Sequence, residues 1–163
     1  MLKIDKKTIC NFSDTFDSLK EKIVGCDYSI FFQAKTFTYS EGTIFSFENM
    51  KELYPDDFTK GKFNEIFFED AENYIDDSVN YLSYDKFKQI NLAKDPAKFK
   101  NDLINEWQNS FWETASSLIK LPPECVYKYE PYDGLFTGNA MWGFCYIFLN
   151  NGKGLLIGGG ASG

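Results

Sequence analysis

The sequence predicts an α+β fold, an antiparallel sheet with helices packed on one face as a single layer pair, and three observations lead there. Helix-like and strand-like segments follow one another in the order αββα-αβββ, which suits antiparallel strands joined by turns rather than repeated βαβ units. The stretch 95–120 opens on Asp95-Pro96, repeats Phe99, Leu103, Trp107 and Phe111 every four residues, and stops at Pro122-Pro123. That is one long amphipathic helix, capped by Asp95, with proline where a missing N–H costs nothing. Finally, residues 140–149 (AMWGFCYIFL) lead through Asn150-Asn151-Gly152-Lys153 into GLLIG at 154–158, the pattern of a hairpin closed by a tight turn.

The first helix is expected over about 14–24, with Ser13 or Asp14 as N-cap, Phe16, Leu19, Ile23 and Val24 at helical spacing, and Gly25 as the stop. Residues 28–38 (YSIFFQAKTFT) read as a strand rich in aromatic residues and threonine. A turn at Ser40-Glu41-Gly42 leads to a second strand at 43–47, giving a hairpin. A short helix follows at 48–54, ended by Pro55. Near the C-terminus, 125–129 (CVYKY) is a strand and 130–139 a loop. In the strand 140–149, Trp142, Phe144, Tyr146 and Phe148 alternate with Met141, Gly143, Cys145 and Ile147. Both of its faces are apolar, as in a central strand covered on both sides. The glycine-rich tail 158–163 is expected to be loose. With no repeat and no Pro/Ser linker, residues 1–163 form one domain.

The stretch 62–82 divides a helical wheel in two. Phe63, Phe67, Ala71, Tyr74 and Leu82 share one arc, and Glu65, Glu69, Glu72 and Asp76 share the opposite one. A helix here is opposed by the middling formers Asn73, Ile75, Asp76, Asp77 and Val79 and by like charges four apart, so a loop with a short helix is the alternative.

Charge is concentrated in the same place. Residues 48–85 hold eleven acids and three lysines, a net of −8, while the rest of the chain is +1, making −7 in all. Such a segment is either a solvated face or a surface that attracts basic proteins. It disfavours nucleic acid and anionic membrane. Histidine and arginine are both absent, all 17 basic residues being lysine. That removes Ser-His, Cys-His and His-metal chemistry together with the arginine fork suited to phosphates and carboxylates. No apolar run approaches a membrane span, and the N-terminus lacks the apolar core of a signal peptide. The cysteines at 10, 26, 125 and 145 match no zinc spacing and are expected to be reduced and mostly buried.

The remaining motifs dissolve on inspection. Gly152-Lys153-Gly154 through Gly158 resembles a nucleotide fingerprint in letters only, since no helix or distant acid can follow it. The acids of 69–77 lack the glycine of a calcium loop. A histidine-free enzyme working with paired carboxylates would draw on Glu124, Glu130 and Asp133, close in sequence to Tyr127, Tyr129, Tyr132 and Trp142.

The acidic segment 48–85 and the aromatic hairpin closing on GKGLLIGGGAS give the chain its character. In that character it resembles bacterial toxin-immunity proteins of the contact-dependent and polymorphic toxin systems, which are small, cytosolic, often acidic and of varied α+β folds. The resemblance implies a cytoplasmic binding protein with no cofactor, metal or catalytic residue. Its partner would be a basic toxin domain, a nuclease with a basic groove. Asp56, Asp57, Glu65, Glu69, Glu72, Asp76 and Asp77 would then stand in for phosphate charge. An adaptor for another basic protein is the competing reading, with a small carbohydrate-active enzyme behind it.

Overall fold

In the computed structural model, which describes residues 1–23, 29–56, 61–78, 84–130 and 140–162, six strands make one antiparallel sheet. They are β1 (Lys3–Asn11), β2 (Ser29–Ser40), β3 (Lys62–Ile66), β4 (Cys125–Glu130), β5 (Ala140–Asn150) and β6 (Lys153–Ser162), in the order β1-β2-β6-β5-β4-β3. The helices are α1 (Ser13–Ile23), α2 (Phe47–Leu53), α3 (Phe68–Asp77), α4 (Tyr84–Leu92) and α5 (Pro96–Leu118). The α+β class and the antiparallel sheet are as expected.

The sheet is covered on both faces, which extends the expected single layer pair. On one face, Phe32 and Ala34 of β2, Phe144, Tyr146 and Phe148 of β5, and Leu155 and Ile157 of β6 meet Phe16 of α1, Ala71 and Ile75 of α3, Ile90 of α4 and Trp107, Phe111 and Ala115 of α5. The alternate residues Phe37, Cys145, Ile147 and Leu156 meet Phe45 and, from α2, Met50 and Leu53. The alternation along β5 thus works as its sequence implies, with a large side chain toward each layer. Trp107 stacks on Phe111 at 5.1 Å, and Phe111 meets Phe16 edge-on at 5.3 Å, so aromatic geometry aligns α5 and α1 over the sheet.

The α5 signals hold. The Asp95 side chain accepts a hydrogen bond from the Lys98 N–H at 3.2 Å, and Pro96 opens the helix. The hairpin turn also holds, with φ of 49° at Asn151 and 80° at Gly152, both central residues taking the left-handed backbone that such turns require.

Four expectations give way. The strand at 43–47 is absent. The aromatic residue Phe45 is buried in front of α2, and Ser46 caps that helix, its hydroxyl accepting from the Asn49 N–H. In place of the expected hairpin, β2 lies between β1 and β6. The tail is not loose either, because Gly158, Gly159, Gly160, Ala161 and Ser162 are paired with both β2 and β5. Glycine is needed there for space, since a Cβ on Gly159 would come within 2.9 Å of the Phe32 ring and 3.1 Å of the Phe144 ring. The fourth change concerns residues 62–82: 62–66 form a strand paired with β4, and the helix starts only at Phe68. The calls on Val24, Gly25, Leu82 and Cys26 lie outside the described residues. Strand β1 and helix α4 have no counterpart in the sequence reading.

Candidate functional site

The junction of β3 and α3 is where the acid-rich segment gathers. β3 is regular, pairing Lys62 with Glu130, Phe63 with Tyr129, Asn64 with Lys128, Glu65 with Tyr127 and Ile66 with Val126. Phe63 stacks on Tyr129 at 4.8 Å and fixes the strand to the α2 layer. Phe67 then turns the chain in an extended conformation (φ −73°, ψ 143°) and caps α3 without a side-chain hydrogen bond. Its ring is 79% exposed. Glu69 and Asp70 lie in the first turn of α3, where the helix dipole favours negative charge.

A groove of about 670 Å³ opens beside this junction. Its lining includes Glu65, Phe67, Asp70, Glu124 and Cys125, and among the described residues no lysine. The Cys125 thiol donates to Glu65 Oε1 at 3.4 Å, and burial pushes that thiol above its usual range. Glu124 Oε2 accepts from the Asn151 N–H at 3.4 Å, tying the other wall to the hairpin turn.

Further along α3 the acids crowd one another. Burial raises the Glu72 carboxyl above its ordinary range, and the charges of Asp76 and Glu69 push it further. Asp76 is raised too, first by burial; the Trp112 hydrogen bond works against this and the Asp77 charge adds to it. Trp112 Nε1 donates to Asp76 Oδ1 at 2.7 Å, and Gln108 Nε2 donates to the Asp76 carbonyl at 3.4 Å. Asp76 therefore anchors α3 to α5. No lysine lies in the last turn of α3, where cations would suit the dipole. Among the described residues no ion pair reaches Glu69, Glu72, Asp76 or Asp77.

The sequence-derived acidic set is thus sorted by the fold. Glu69, Glu72, Asp76 and Asp77 share α3, whereas Glu65 is on β3, two residues from Phe63 and hydrogen-bonded to Cys125, so the set is not one helical stripe. Asp56 is exposed in the turn beyond α2, a helix packed on the opposite face of the sheet. Asp57 lies outside the described residues. The apolar arc is corrected as well: Phe67 and Tyr74 are exposed, and Ala71 and Ile75 form the buried side. Sequence reasoning missed Asp70 and the groove role of Glu124. Gly61, held at φ 144°, is the punctuation that could have separated β3 from what precedes it.

Of the carboxylates considered for paired acid–base work, Glu124 and Glu130 lie among the described residues. Glu130 is paired with Lys128 at 3.0 Å and Lys62 at 3.6 Å, and the Lys128 hydrogen bond holds its carboxyl below the ordinary range. Tyr127 and Tyr129 belong to the α2-side core. The Tyr127 hydroxyl donates to the Thr43 carbonyl at 2.6 Å, and burial pushes its pKa to about 12. Tyr132 and Asp133, and the side chain of Trp142, lie outside the described residues. Cys10, Cys125 and Cys145 are free thiols, exposed, half-buried and buried in turn. Among the described residues no group of Cys, Asp or Glu could hold a metal ion, and no helix is long and apolar enough to cross a membrane.

No family model and no curated protein sequence matches the chain. Among solved structures it is similar to citrus MAF1, with a TM-score of 0.57 and 12% identity over 90% of this chain and 98% of that one. A second crystal form of citrus MAF1 gives 0.50 and 15% over 90% and 97%. At these identities the likeness is one of fold: the six-stranded sheet and its helices form an architecture already seen in citrus MAF1.

Proposed function

We propose that this chain is an immunity-type inhibitor, a cytoplasmic protein that binds a basic toxin domain through its β3–α3 end. The carboxylates of Glu65, Glu69, Glu72 and Asp77 take the place of nucleic-acid phosphates in the toxin's groove. Asp76 serves mainly to hold the helix that presents them. The observation that supports this reading is uncompensated charge. Glu69, Glu72, Asp76 and Asp77 lie on one ten-residue helix, and no ion pair reaches them among the described residues, at a cost in repulsion. A basic partner would relieve that repulsion and be steered by it.

The test is a comparison of two baits in a pull-down, wild type and Glu65→Lys/Glu69→Lys/Glu72→Lys. Asp76 is left intact because it carries the Trp112 hydrogen bond. A near-stoichiometric basic partner is expected on the wild type only. Its association rate should fall roughly tenfold or more on charge reversal, most steeply at low salt. An unchanged rate and salt dependence would remove the acidic end from the function. A captured partner that is basic but not toxic would move the protein to the adaptor reading.

A further inference from the structure

The sheet has two edges, and they are finished differently. β1 carries Lys3, Lys6 and Lys7, and its pairing with β2 is broken by a register shift between Asp5 and Cys10. Lysines and bulges are the ordinary means by which an edge is kept from pairing with another chain. β3 carries one lysine, Lys62, drawn to Glu130 of the paired strand at 3.6 Å, and has no such break. Its five residues pair in unbroken register with β4 on one side, and among the described residues no strand lies on the other. Where β3 ends, the 79% exposed Phe67 and the groove with Glu65, Asp70 and Glu124 begin. Extended backbone is what an unpaired edge accepts, and alternate side chains of an added strand reach the pockets beside it.

We propose that β3 is the docking edge for an extended, lysine- or arginine-bearing segment of the partner. That segment adds as a seventh strand, places an apolar side chain against Phe67, and sends a cation into the groove toward Glu65, Asp70 and Glu124. Charge complementarity selects this occupant, since among the described residues three carboxylates and no lysine line the groove. Phe67 also supplies an exposed aromatic ring, a residue type enriched at interfaces. This inference rests on the inhibitor reading and specifies how the partner is held.

The probe is a blocked octapeptide of alternating lysine and valine, titrated into the isotope-labelled full chain and followed by amide chemical shifts. A second peptide of the same sequence is N-methylated at alternate residues so that one edge cannot hydrogen-bond. A third has glutamate in place of lysine. The expected result is shifts at 62–67 with the first peptide and none with the third. Affinity should fall about tenfold or more on N-methylation, and as much with Phe67→Ser, a substitution on the surface that leaves the core untouched. Equal affinity of the methylated peptide would overturn strand addition, as would shifts confined to Glu69, Glu72 and Asp76 or no binding at millimolar peptide. If the charge-reversed bait loses the partner while Phe67→Ser and N-methylation change nothing, the inhibitor reading stands and the docking edge falls.

Discussion

The central strands and the β3–α3 end break local sequence rules in opposite ways. β6 runs Gly158, Gly159, Gly160 through the middle of the sheet, although glycine weakens strands and leaves no side chain to pack. The neighbours explain two glycines of β6: Phe32 and Phe144 fill the space that a side chain at Gly159 would need, and Phe37 the space at Gly154. On α3, like charges stand together with no ion pair reaching them among the described residues, and Asp76 is compensated by the Trp112 hydrogen bond. A violation in the core is repaid by packing within the chain, whereas the violation on the surface is one that the proposed partner would offset. The first should therefore be sensitive to shape and the second to charge.

The largest effect is expected from Phe111→Ala. It removes a fully buried ring that touches Phe16, Phe32, Trp107 and Trp112, and should cost about 4 kcal/mol in urea unfolding. Gly154→Val comes next at about 3 kcal/mol, because a side chain there runs into the Phe37 ring. A near-neutral result would mean that β6 does not need its glycines for space. Trp112→Phe keeps an aromatic ring against Phe68 and Phe111 and drops the N–H bonded to Asp76, and about 1 kcal/mol should follow for the lost hydrogen bond. A loss several times larger would make this bond, and not the core, the main hold on α3.

The acidic end makes a pH prediction whose sign follows from the raised carboxyls. Glu72 and Asp76 lie above their ordinary values of 4.5 and 3.8 in the folded chain. The native state therefore binds their protons more readily than the unfolded state does. Their cost is fully present at neutral pH and fades as pH falls through the range just above those values. Glu72→Gln should raise the unfolding midpoint at neutral pH, with the gain shrinking as pH falls toward the ordinary carboxyl range. A gain independent of pH would trace the effect to something other than charge. Phe67→Ser should change stability least, by under about 0.5 kcal/mol, while weakening partner binding. A large stability loss would place Phe67 in the core.

Much of this fold was legible. α5 announces itself through Asp95-Pro96 and the spacing of Phe99, Leu103, Trp107 and Phe111, because capping and amphipathic period act within a few residues. The Asn151-Gly152 turn is equally local. β1 was passed over even though Leu2 and Ile4, both buried, alternate with Lys3 and Asp5. The lysines that make it a protected edge also hide its apolar face. The helical wheel over 62–82 failed because β3 is held by pairing with β4, some sixty residues away, and no wheel contains that partner. The groove could not be read for the same reason, as one wall comes from 65–70 and the other from 123–126.

The sequence by itself determined the α+β class, the long helix, the closing hairpin and the concentration of charge in 48–85. These rest on period, capping, turn chemistry and composition, none of which needs a distant residue. Only the tertiary structure decided that the glycine tail is a central strand, that α2 covers the second face, and that Asp76 is a tether while Phe67 is exposed. Each of those depends on which segments meet across the sheet, and a neighbour's bulk or hydrogen bond outweighs the local preference of the residue beside it.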